Sequence, residues 1–114
     1  MKTIIAGSRT VKKYAVIRDY LERFHLWNIT EVVSGTCFGP DKFGECWAIH
    51  KKIHVVQFPA QWELHGKKAG PIRNRQMGEY ADAAIVFWDG KSRGTKSMID
   101  IMKDLGKPVE VVGA

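Results

Sequence analysis

The sequence predicts an α/β protein: a mostly parallel five-stranded sheet with helices on both faces. Three observations predict it. Short apolar runs of strand length alternate with longer runs of helical period. Glycine or proline stands at almost every changeover. No repeat, low-complexity stretch or linker divides the 114 residues, so residues 1–114 form a single domain. Alternating strands and helices build parallel sheets, joined by right-handed crossovers.

The first strand is Thr3-Ile4-Ile5-Ala6, stopped by Gly7-Ser8-Arg9. Val11, Tyr14, Ala15, Ile17, Leu21 and Phe24 then recur at helical spacing, predicting a helix over 11–26 with Thr10 as its N-cap. Lys12-Lys13 opposes the dipole in that first turn. Thr30 to Ser34 is the second strand, ending in the small-residue loop Gly35 to Gly39. Pro40 and Asp41 suit a helix start, and the helix runs to about Lys51 with Phe43, Trp47, Ala48 and Ile49 inward. Ile53 to Phe58 is the third strand. Pro59 to Pro71 reads as a long irregular loop, a lid or wall carrying Trp62. A helix over 72–80 leads to the fourth strand, Ala83 to Trp88. The polar loop Asp89 to Ser92 then leads to a helix from Gly94-Thr95 to Leu105, stopped by Gly106. Pro108 to Val112 is the fifth strand.

Composition is that of a globular protein, 45% hydrophobic and 26% charged. The net charge of +6 favours anionic partners. The two cysteines, Cys37 and Cys46, are too few for a disulfide framework or a four-cysteine zinc site. Cys46, His50 and His54 are spaced by four, but His54 falls in a strand and no third ligand is evident, so no metal is expected. Neither a signal peptide nor a membrane-length apolar span is present. The expectation is a cytoplasmic protein with reduced thiols and no membrane association.

Three loops at the carboxyl ends of strands carry glycine: Gly7-Ser8-Arg9, Gly35-Thr36 to Gly39, and Asp89-Gly90 to Gly94-Thr95 with Ser92 between. Ligands of open parallel sheets bind at that rim where the strand order reverses, and a helix start following a glycine loop offers amides and a dipole to a phosphate. Ser8 and Arg9 sit where backbone approaches a ligand. Arg73 and Arg75 can each grip a phosphate, but residues two apart on a helix do not share a face. Asp41 suits either a ribose hydroxyl or the dipole of its own helix. Asp89 suits a ribose or acid–base work, although glycosyl transfer usually wants a second carboxylate. Trp62 and Trp88 are candidates for stacking a base, or simply for packing.

Four blocks in this order resemble a family: Ala6-Gly7-Ser8-Arg9; Val33-Ser34-Gly35-Thr36 with Gly39-Pro40-Asp41; Gly70-Pro71-Ile72-Arg73-Asn74-Arg75-Gln76-Met77; and Phe87-Trp88-Asp89-Gly90 with Ser92 and Gly94-Thr95. The pattern is similar to the YspA/YpsA-like branch of the SLOG superfamily, which also has small members in phage genomes. The resemblance implies a Rossmann-like three-layer fold. It also implies a nucleotide or nucleotide-derived ligand, such as an ADP-ribose- or NAD-related signal, which the chain would sense or sequester. Relatives include the LOG phosphoribohydrolases, which pair through helices, so a homodimer is an expectation. Their Arg-Lys pair falls on Arg73 and Asn74. Their Pro-Gly-Gly-x-Gly-Thr-x-x-Glu block falls on Trp88 to Met98, with Gly90, Gly94 and Thr95 matching. Met98 stands where those enzymes carry the catalytic Glu, and Asp100 is about 200° further round a helix.

The ligand-binding set expected is therefore Gly7, Ser8, Arg9, Gly35, Thr36, Gly39, Asp41, Arg73, Asp89, Gly90, Ser92, Gly94 and Thr95, with no cofactor. Asp89 is the candidate if there is catalysis. N-glycosidic hydrolysis is the alternative function. Nucleic-acid binding is a second alternative, weakened because the pairs Lys12-Lys13, Lys51-Lys52 and Lys67-Lys68 are scattered.

Overall fold

A computed structural model describes all of Met1–Ala114. Five strands, β1 (Lys2–Gly7), β2 (Glu31–Ser34), β3 (His54–Gln57), β4 (Ala83–Trp88) and β5 (Val109–Gly113), form one sheet in the order β3-β2-β1-β4-β5. Every neighbouring pair is parallel. Strands β1 and β4 lie at the centre, and nearly all their residues are buried. That is why they read as unbroken apolar runs, with helices covering both faces.

Side chains of a strand alternate between faces, and the core divides accordingly. Ile5, Ile85 and Phe87 meet α1 (Tyr14–Glu22) and α2 (Pro40–His50) through Ile17, Leu21, Trp47 and Ala48. Ile4, Ala6, Ala84 and Val86 meet α4 (Ala69–Tyr80) and α5 (Arg93–Asp104) through Met77, Met98, Ile99 and Met102. The result is the Rossmann-like three-layer architecture expected. No helix is long and apolar enough to cross a membrane.

Four expectations about elements need correction. Helix α1 spans 14–22 rather than 11–26, and Thr10 does not cap it: its hydroxyl donates to Asp89 instead. Beyond its C-terminus, Phe24 and Trp27 pack edge to face and the Trp27 indole donates to Thr3, so tertiary packing rather than helix continues the apolar pattern. Second, Ile49 is 69% exposed, pointing away from the core. Third, the stretch 59–71 is largely helical. It holds α3 (Trp62–His65), a 3-10 turn (Gly66–Lys68) and the start of α4. Pro71 is the third residue of α4, where its missing N–H leaves no helical bond unmade. Fourth, α5 begins at Arg93 rather than at Gly94-Thr95, with Ser92 at its cap.

Helix α2 lies close on the sheet because Gly44 has no side chain. A Cβ there would sit 2.6 Å from Cγ2 of Ile5, which is fully buried and β-branched. Gly44→Ala is therefore expected to destabilise by about 1–3 kcal/mol despite alanine's better helix propensity, read as a lowered urea midpoint at unchanged slope. A neutral or stabilised variant would show that α2 lifts off the sheet without cost.

Candidate functional site

The strand order reverses between β1 and β4, and a cavity of about 570 Å³ opens at their carboxyl ends. Such volumes are usual for small-molecule sites, and this is where doubly wound sheets place them. Gly7, Arg9 and Thr10 line it from the β1 end, Cys37 from the β2–α2 connection, Asp41 from the first turn of α2, and Trp62 from α3. Arg73, Asn74 and Met77 line it from α4, and Asp89, Ser92 to Thr95, Ser97 and Met98 from the β4–α5 segment.

The β4–α5 loop is organised from within. One oxygen of Asp89 accepts the amides of Lys91 and Ser92, both at 2.8 Å, and the other accepts the Thr10 hydroxyl at 2.9 Å. Gly90, at φ +82°, supplies the turn that folds those amides back. The loop amides, Ser92's first, hold the Asp89 carboxyl down to about 2. A carboxylate held there is a poor proton donor or acceptor at neutral pH. Ser92 caps α5 by accepting the Thr95 amide at 3.4 Å, and its hydroxyl lies 2.9 Å from that of Thr95. Ser8, 1% exposed, sits beneath: it accepts the Asp89 amide at 3.1 Å and lies 3.4 Å from the Thr95 hydroxyl. The amides of Arg93 and Gly94, in the first turn of α5, donate to no protein acceptor.

Across the cavity floor, Arg73 is buried and largely committed. Its Nη1 donates to the carbonyls of Gly35 and Phe58, and its Nε donates to Asn74 Oδ1 at 2.9 Å. Nη2 lies 3.7 Å from the Cys37 sulfur. Asn74 in turn donates to the Gly94 carbonyl at 3.3 Å, linking α4 to the start of α5. Asp41, second residue of α2 and 5% exposed, accepts the Cys37 amide at 3.3 Å. Burial pushes its carboxyl up to about 6, against the lowering effects of the Cys37 amide, Arg73 and the Gly7 amide. Gly35 makes room for both groups: a Cβ there would lie 2.8 Å from Asp41 Oδ2 and 2.9 Å from Arg73 Nη1.

Of the residues expected at the site, Gly7, Arg9, Asp41, Arg73, Asp89, Ser92, Gly94 and Thr95 line one cavity. Ser8, Gly35, Thr36, Gly39 and Gly90 stand outside its lining. Gly39, at φ +86°, caps α2, and Thr36 adopts φ +66°, a costly conformation for a β-branched residue. Trp88 turns its indole onto the Ser92 carbonyl and packs on the core, leaving Trp62 to face the cavity. Thr10, Cys37, Asn74, Arg93 and Ser97 are lining residues that sequence reasoning did not select. Arg93 carried a legible signal, a cation directly before the Gly94-Thr95 pair.

Comparison with known proteins adds to this geometry. Residues 1–65 match the model of the family described as YAcAr: YspA, cpYpsA-related SLOG family. The chain is similar to the Gene 61 protein of Mycobacterium phage D29, with 31% identity over an alignment covering 95% of this chain and 93% of that protein. No solved structure matches.

Asp41 gives the site a pH signature. The native state holds this proton more tightly than the unfolded chain, where an aspartate titrates near about 4. Its contribution to stability is thus complete below about pH 4 and lost as pH rises through about 6. Asp41→Asn cannot ionise, so it should gain on the wild type by up to about 3 kcal/mol between pH 4 and 7. Urea unfolding at several pH values measures the gap. A gap independent of pH would show that Asp41 ionises as freely folded as unfolded.

Proposed function

Because this chain belongs to the YspA, cpYpsA-related SLOG family, we propose that it binds a nucleotide or nucleotide-derived ligand at the carboxyl rim of its sheet, as a sensor or sequestering protein. One observation carries the reading. A single cavity collects the end of β1, the start of α5 with two unengaged amides, and the cations Arg9 and Arg93. Free amides at a helix start and unpaired guanidinium groups together suit a phosphate. Arg9 and Arg93 are exposed and in no ion pair with a carboxylate, so they are available to an incoming anion.

Binding is favoured over N-glycosidic hydrolysis by the carboxylates. Met98, at the position of the LOG glutamate, lines the cavity with a thioether. Asp89, the substitute considered from sequence, is tied to its own loop and held at low pKa. An ADP-ribose- or NAD-related molecule remains within the class of ligand proposed.

Nucleoside monophosphates, ADP-ribose and NAD, tested by calorimetry and thermal shift, should include at least one that binds and raises the melting temperature. Arg9→Ala and Arg93→Ala should each weaken that binding roughly tenfold or more while leaving the ligand-free melting temperature within a degree or two. Failure of every member to bind, with no nucleotide recovered by mass spectrometry from heat-denatured protein, would refute the proposal. Steady release of free base would move it toward hydrolysis.

A further inference from the structure

The chain has four tryptophans, and three are anchored. The Trp27 indole donates to the Thr3 hydroxyl at 3.2 Å, that of Trp47 to Glu22 at 3.3 Å, and that of Trp88 to the Ser92 carbonyl at 3.1 Å. All three pack against one of the two cores. Trp62 differs in every respect. It is 56% exposed, belongs to neither core, and its indole N–H has no acceptor. Yet it lines the cavity, and it is the only aromatic side chain that does.

Its placement is defined by the chain around it. Helix α3 ends at His65, and the 3-10 turn brings α4 back so that Gly70 faces the indole. A Cβ on Gly70 would lie at ordinary contact distance, 3.6 Å, from Trp62 Cη2. The ring edge therefore rests on the first turn of α4 while more than half of its surface stays in water. An indole held this way forfeits much of the burial that usually accompanies its size. It offers a flat apolar face in the same cavity as the phosphate-type groups of α5.

Resting on the phosphate-site reading above, we infer that Trp62 is the stacking wall for a planar heteroaromatic ring. The ligand class is then a phosphate joined to a base, purines before pyrimidines because of their larger face, and excludes simple sugar phosphates. Trp62 acts as a specificity residue: it discriminates among ligands that share the phosphate contact. Trp62→Phe retains a ring and should retain most of the discrimination, whereas Trp62→Ala should abolish it.

The experiment compares AMP, ribose 5-phosphate and adenosine on the wild type, Trp62→Ala and Trp62→Phe, by calorimetry and by quenching of tryptophan emission. Stacking on an aromatic side chain predicts that the wild type binds AMP roughly ten- to a hundredfold more tightly than ribose 5-phosphate. In Trp62→Ala the two affinities should converge, with ribose 5-phosphate unchanged. Equal affinities in the wild type, or a preference for AMP that survives Trp62→Ala, overturns the inference while leaving the phosphate site standing. Parallel weakening of both ligands also overturns it, as that is what a merely structural Trp62 would produce. Adenosine bound by the wild type as tightly as AMP in calorimetry, and far more weakly by Trp62→Ala, keeps the wall and removes the phosphate reading. No binding by any of the three overturns both.

Discussion

A buried guanidinium holds the rim of this sheet together. Arg73 reaches from α4 to the carbonyls at the ends of β2 and β3, and through Asn74 to the first turn of α5. A charge out of water is costly unless polar partners replace the solvent. Here carbonyl and amide oxygens do so, with the field of Asp41 adding to them. The contacts span 38 and 15 residues of sequence, so one side chain sets the relative positions of three loops. It also changes what Arg73 can do. A guanidinium with most of its donors already engaged shapes the cavity and has little left to give a ligand, and the freely reaching cations are Arg9 and Arg93.

Two aspartates in the same cavity are driven in opposite directions, for opposite reasons. Asp89 is wrapped by donors from its own loop and lies near solvent, so its charged form is favoured. Asp41 is enclosed by β1, the β2 loop and α2, and desolvation outweighs the donors it has. One carboxylate gives the β4–α5 loop its shape. The other is the group whose charge depends on pH near neutrality. Three arginines, Arg9, Arg73 and Arg93, line the same cavity.

Much of this was legible in the residues. The apolar runs at β1 and β4, the glycines after β1, β2 and β4 and the helical period of α2 and α5 identified the layers and the rim. Eight of the expected site residues share a cavity. The misses have a common form. Thr10 pairs with Asp89, 79 residues away, instead of capping α1. Stretch 59–71 lacks periodicity, yet becomes helical where α3 and α4 close over the cavity. Cys37 and Asn74 acquire their places only through Arg73.

The sequence by itself determined the fold class and the order of strands and helices. Those follow from side-chain alternation and helical period, which neighbouring residues express whatever the distant chain does. Only the tertiary structure decided the roles within the rim: Arg73 committed to carbonyls, Asp89 to its own loop, Asp41 buried, Trp88 turned into the core and Trp62 left facing the cavity. Hydrogen bonds between residues far apart in sequence, together with burial, assign those roles, and neither is written in local pattern.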